Sequence, residues 1–192
     1  LKSINSDLNI HSFKSGTKVF DWSIPDEWNI YDAYIEHKSG ERFAEFSKNN
    51  LHILGYSVPC NINLPLAELL PHIYTQKNQP DVIPYVTSYY NNIWGFCMSD
   101  DDKKSMPDGE YNVVIDAKRG PGSLEIADLV IEGVSSKEIF FSTYVCHPSM
   151  ANNELSGPVL STALIQYIKL KYKNPKYTYR FVFAPETIGA IA

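Results

Sequence analysis

The stretch from residue 138 to residue 184 limits the fold more than any other part of the sequence. Residues 138–145 (Glu-Ile-Phe-Phe-Ser-Thr-Tyr-Val) are rich in β-branched and aromatic side chains and predict a strand. A polar loop over 146–154 follows. A helix is expected from about Gly157, with Ser156 as N-cap and Pro158 in its first turn. Val159, Leu160, Ala163, Leu164, Tyr167 and Ile168 recur at helical spacing. Asn174-Pro175 ends that helix, and 177–184 is a further strand, nearly continuous in apolar and aromatic residues around Arg180. Strand, helix and strand at this spacing make a βαβ unit, and such units build parallel sheets with buried strands. The fold class is therefore α/β.

The rest of the chain has a different texture. Residues 127–131 form a short apolar strand closed by Glu132-Gly133. Residues 20–120 hold all three tryptophans (Trp22, Trp28, Trp94) and the aromatic cluster at 85–90. Turn signals at Ser39-Gly40, Asn49-Asn50, Pro107-Asp108-Gly109 and Pro121-Gly122 punctuate short extended runs there. One helix is expected over 65–72, with Leu66, Leu69 and Leu70 apolar, in a mostly β region. Residues 1–19 read as a short helix (Leu1, Ile4, Leu8) followed by a turn at Ser15-Gly16. The chain opens on Leu1 and stops at Ala192 just after an apolar strand and a glycine, so both ends read as cuts through a larger domain.

Composition narrows the function classes. With 192 residues, 44% hydrophobic and 20% charged, the chain can bury the core of one domain, with or without a smaller insert. A net charge of −5 and the lack of a basic run argue against nucleic-acid binding by these residues. No apolar stretch approaches the roughly 18–20 residues of a membrane helix, and no signal segment opens the chain. Three well-separated cysteines, Cys60, Cys97 and Cys146, suit a reducing compartment, so a cytoplasmic location is expected.

Ligands of open α/β sheets collect beyond the carboxyl ends of the strands. His147 lies just past one predicted strand and Glu186 just past the next, and a right-handed crossover brings both to one edge. Taken singly, each is more often a solvated surface group; their shared position carries the functional reading. Ser149, Asn152, Asn153, Glu154 and Thr187 lie close by in sequence. One imidazole and two carboxylates at a strand edge could hold a divalent metal, and this donor chemistry suits zinc, with a remaining carboxylate as base. No HExxH or CxxC pattern accompanies them. His52 and His72 read as structural, Cys146 as a packed thiol, and the tryptophans and tyrosines as the core of a small domain.

At these residues the chain resembles the di-zinc aminopeptidase family that includes bacterial leucyl aminopeptidases and glutamate carboxypeptidases. In that family a strand ends in a ligand His, usually followed by an Asp two residues on. An Asp-Asn-Ala-Ser-Gly-like segment then supplies a bridging ligand, and the next strand ends in Glu-Glu-x-Gly, general base first. Val145-Cys146-His147, Asn153-Glu154-Leu155-Ser156-Gly157 and Glu186-Thr187-Ile188-Gly189 match in order and position. More closely, the chain is similar to a bacterial aminopeptidase-like group associated with polysaccharide biosynthesis, which carries an inserted domain of unknown function. Asp21-Trp22-Ser23-Ile24-Pro25, Tyr56-Ser57-Val58-Pro59, Trp94-Gly95-Phe96-Cys97 and Thr143-Tyr144-Val145-Cys146-His147 carry that resemblance.

The resemblance implies a zinc-aminopeptidase-like α/β domain, a mostly parallel sheet with flanking helices, over 1–19 and 121–192. A smaller β-rich inserted domain would occupy 20–120. It implies a metal-dependent hydrolase cleaving an amide bond in a peptide or small molecule. His147, Asn153 and Glu154 would be metal ligands, Glu186 the general base, and one or two zinc ions the cofactor. Ser149, Asn153 and Thr187 are neutral where the family places carboxylates. They motivate a second reading, a domain of this fold that binds peptide or glycan without turnover.

Overall fold

The computed structural model describes residues 1–88, 91–147 and 150–192. Tyr89 and Tyr90 of the aromatic cluster, and Pro148 and Ser149 of the loop after the 138–145 strand, lie outside the described residues. In chain order the strands are β1 (Asn9–Lys14), β2 (Lys18–Val19), β3 (Trp22–Ser23), β4 (Glu27–His37), β5 (Arg42–Phe43), β6 (Cys60–Pro65), β7 (Ile73–Tyr74), β8 (Phe96–Cys97), β9 (Glu110–Gly120), β10 (Ser123–Ile131), β11 (Ser135–Tyr144) and β12 (Tyr177–Ala184). The α-helices are α1 (Leu66–Leu69), α2 (Asp100–Ser105), α3 (Ala151–Lys171) and α4 (Ile188–Ile191). The chain divides into two compact units, one of Leu1–Glu27 with Pro121–Ala192 and one of Trp28–Gly120.

The first unit holds a four-stranded sheet in the order β1-β10-β12-β11. The pair β11 and β12 is parallel, joined through α3 as the βαβ pattern requires. The pairs β10 with β12 and β1 with β10 are antiparallel, so within these residues the sheet is mixed. Its core gathers Leu8, Leu129, Phe181 and Phe183 with Ile165 and Ile168 of α3. Phe141 stacks on Phe181 with ring centroids 4.7 Å apart. Complete burial of one such ring contributes about 1.5–3 kcal/mol.

Two local expectations are corrected here. The first residues are turns running into β1, not a helix. Asn5 N–H reaches Leu1 O, making a single helical turn, but Asn5, Ser6 and Asp7 all prefer turns, and the chain then pairs with β10. The second correction concerns α3, which begins at Ala151, so that Gly157 and Pro158 lie inside the helix instead of starting it. The apolar stripe read from the sequence coincides with the packed face only in part: Ile168 is buried and Leu164 packs beside it, whereas Val159, Leu160 and Tyr167 are exposed. Gly157, Ser161, Ile165 and Ile168 follow one another along the helix at spacings of four, four and three residues; the last three of these are buried. A Cβ on Gly157 would sit 2.1 Å from Thr143 Oγ1, so the glycine lets the helix approach β11 closely.

The second unit is mostly β, with the sheet order β5-β4-β9-β6 and a small parallel pair of β7 with β8. Burial alternates along β9, with Tyr111, Val113 and Ile115 inward, the period of a half-buried strand. Helix α1 and a 3₁₀ turn at Leu70–His72 occupy the segment expected to be helical. Trp28 and Trp94 pack on this core, whereas Trp22 lies in β3 of the first unit. His72 stacks on Trp94 with centroids 3.7 Å apart, and its Nδ1 lies 3.2 Å from Trp94 O. His52 Nδ1 lies 2.8 Å from Cys97 O. Both histidines are thus structural, as their sequence setting suggested.

Candidate functional site

The parallel register of β11 and β12 places Tyr144 opposite Ala184, and Val145 N–H donates to Ala184 O at 3.0 Å. The carboxyl ends of the two strands are therefore level. His147 follows one end and Glu186 the other, and they meet, with His147 Nε2 3.8 Å from Glu186 Oε2. The Tyr144 ring stands edge-on to the imidazole, 6.1 Å between centroids at 88°.

The early start of α3 adds a second carboxylate. Glu154 sits in the first turn of that helix and is only 8% exposed. Its Oε1 lies 2.7 Å from His147 Nδ1, and its Oε2 accepts Cys146 N–H at 2.6 Å. Burial pushes the Glu154 carboxyl upward, but the bonds from Cys146 N–H and from His147 outweigh it and hold the group below its ordinary range. An ionised carboxylate only accepts hydrogen bonds, so this contact is compatible with the Nδ1–H tautomer of His147. The side chain of Glu186, by contrast, is 54% exposed.

Asn153 lies exposed on the same helical turn. Cys146 is exposed, which corrects the expectation of a packed thiol: β11 ends at Tyr144, so Cys146 has already left the sheet. Packing around it, with the carboxylates of Glu154 and Glu186, still raises its thiol pKa, which disfavours the thiolate a nucleophile needs. Thr187 follows Glu186 in a strained conformation, φ 57° and ψ −66°, the centre of a γ-turn closed by Ile188 N–H on Glu186 O. That turn ends the strand abruptly and starts α4.

Zinc takes three or four protein ligands. Both oxygens of Glu154 already bond within the protein, leaving His147 and Glu186 as the adjacent donor pair. Among the described residues no group of three His, Cys, Asp or Glu is arranged to hold a metal. These residues do not by themselves fit a zinc ion. Glu154 as a partner of His147 was not read from the sequence; its position in the 146–154 loop was the available signal, hidden by the misplaced helix start.

Residues 27–118 match the model of a domain of unknown function, DUF2172. The chain is 48% identical over 185 residues to a protein of Clostridium acetobutylicum described as "Putative polysaccharide biosynthesis protein with aminopeptidase-like domain". That match covers 96% of this chain and 42% of the relative, so the chain spans less than half the relative's length. A crystal structure of a "putative peptidase" from Clostridium acetobutylicum matches with a TM-score of 0.92 at 46% identity, covering 98% of this chain and 44% of that one. At the level of fold alone, a zinc aminopeptidase from Bacillus subtilis matches with a TM-score of 0.55 at 11% identity, over 95% of this chain and 52% of that one. A peptidase M28 precursor from Shewanella amazonensis gives 0.56 at 10% identity, over 97% of this chain and 58% of that one. No helix among the described residues is long and apolar enough to cross a membrane. The chain is thus similar over most of its length to part of the Clostridium acetobutylicum protein, shares an α/β fold with zinc aminopeptidases, and matches the DUF2172 model over residues 27–118.

Proposed function

We propose that this chain forms part of a hydrolase that cleaves an amide bond in a peptide or an amide-containing small molecule, with Glu186 as general base. The observation that carries this reading is the solvent-facing Glu186 carboxylate 3.8 Å from His147 Nε2, at the level ends of two parallel strands. In this reading Glu186 takes a proton from an attacking water and delivers it to the leaving amine nitrogen. His147 is the ligand this chain would offer to a divalent metal such as zinc, the remaining donors coming from outside the described residues. Asn153, on the exposed turn beside Glu154, is the other position from which a side chain could approach such an ion. A cytoplasmic location remains part of this proposal, on the cysteine usage alone.

The test is hydrolysis of aminoacyl anilides by the full protein and by Glu186→Gln. The variant should lose about 10²–10⁴-fold in rate, the usual contribution of a positioned general base, with its unfolding midpoint unchanged. Undiminished hydrolysis would remove Glu186 from this role. The lack of a three-donor group among the described residues favours a second reading, a domain that binds peptide or glycan without turnover. Metal-free full protein that binds such ligands and hydrolyses none would establish it in place of the first.

A further inference from the structure

We propose that Glu154 is the positioning residue of His147: from the first turn of α3 it holds the imidazole proton on Nδ1 and keeps Nε2 turned toward Glu186. The proposal rests on the reading of His147 and Glu186 as the reactive pair. Three features of the geometry support it. The carboxylate is pinned at both ends, by Cys146 N–H at 2.6 Å on Oε2 and by the imidazole at 2.7 Å on Oε1. Cys146 is the chain neighbour of His147, so one carboxylate fixes both the backbone and the ring of the same short segment. At 8% exposure, Glu154 has little freedom to swing toward solvent, whereas Glu186 does. Two carboxylates thus flank one ring, the buried one bonded to it and the exposed one facing open space. A carboxylate accepting from Nδ1–H fixes the tautomer and makes Nε2 the more basic nitrogen, the one a ligand or proton would meet.

The experiment reads the His147 ring directly. Uniformly ¹⁵N-labelled full protein, without substrate or added metal, is examined by long-range ¹H–¹⁵N correlation at alkaline pH, where imidazole is neutral. The expected result is the Nδ1–H tautomer in the wild type. Glu154→Gln should lose that single form, because its amide accepts only through one oxygen while two donors remain, and the Nε2–H tautomer should appear. Glu154→Asp keeps the charge but is one methylene short, and should fall between the two. A wild-type ring protonated on Nε2, or an unchanged Nδ1–H signal in Glu154→Gln, overturns the proposal. The wild-type spectrum decides even where a variant fails to fold. Because turnover is not measured, inactivity toward anilides would refute the hydrolase reading while leaving this result to stand or fall alone.

Discussion

Gly157→Ala tests whether the close approach of α3 to β11 builds the site. The added Cβ would lie 2.1 Å from Thr143 Oγ1 and 3.1 Å from Thr143 Cβ. Rotating Thr143 about χ1 can relieve the first contact but not the second, so the helix must also move by a few tenths of an ångström. Overpacking of this kind costs about 1–3 kcal/mol, and the better helix propensity of alanine returns about 1 kcal/mol. Because the first contact is severe, the net loss should be about 1–2 kcal/mol. With a urea slope of about 2 kcal/mol/M, the midpoint should fall by about 0.5–1 M. Thr143→Ala removes the hydroxyl, so the double variant should recover much of the loss, giving a coupling of about 1 kcal/mol. A single variant as stable as the wild type, or more stable by the propensity gain alone, would refute the close-packing argument.

Phe181→Ala empties the centre of the first unit's core, where the ring is fully buried against Phe141, and should cost about 3–5 kcal/mol in urea unfolding. The Glu154 carboxyl is held below its ordinary value of 4.5, so its stabilisation is present above that pH and is lost as pH falls through the lower folded value. Thermal midpoints measured from about pH 3 to 6 should therefore fall less steeply in Glu154→Gln than in the wild type. Cys146 is exposed, although its thiol pKa is raised too, whereas burial pushes the thiols of Cys97 and Cys60 up to about 12 and about 11. Iodoacetamide should place one adduct on the native protein, at Cys146, and three after denaturation, as read by mass spectrometry. Thr187→Gly relieves the positive-φ strain and should raise stability by about 1 kcal/mol. Under the role proposed for Glu186, it should also lower hydrolysis, by loosening the turn that follows that residue.

The strand pair at the heart of the site was legible because its signals were strong and redundant. The apolar run at 177–184 coincides with β12, and the aromatic stretch at 138–145 lies largely within β11. From those two strands, and from the helix between them, the meeting of His147 with Glu186 followed by topology alone. What the sequence could not show was the antiparallel company of β1 and β10. Their pairing depends on partners far away in the chain, and Ile4 and Leu8 fit a helical turn as well as they fit the approach to a strand.

The helix starts earlier than its sequence signals indicate, for a physical reason that matters to the site. Ser156-Gly157-Pro158 carries the usual marks of a helix beginning, a capping side chain followed by proline. Here the same residues serve packing: Gly157 admits Thr143, and Pro158 is buried inside α3. Proline removes one helical hydrogen bond wherever it falls beyond the first turn, which costs about 3 kcal/mol in an ordinary helix interior. The helix nevertheless begins six residues before Gly157, at Ala151, with Glu154 N–H bonded to Met150 O. The extra turn is what carries Glu154 to His147. Had α3 begun at Gly157, Glu154 would lie in a loop, and nothing in the fold would set its carboxylate against the imidazole. The rule broken by Pro158 and the contact made by Glu154 are therefore two consequences of one choice of helix start, and a local conflict of this kind is expected where a fold serves a site as well as its own stability.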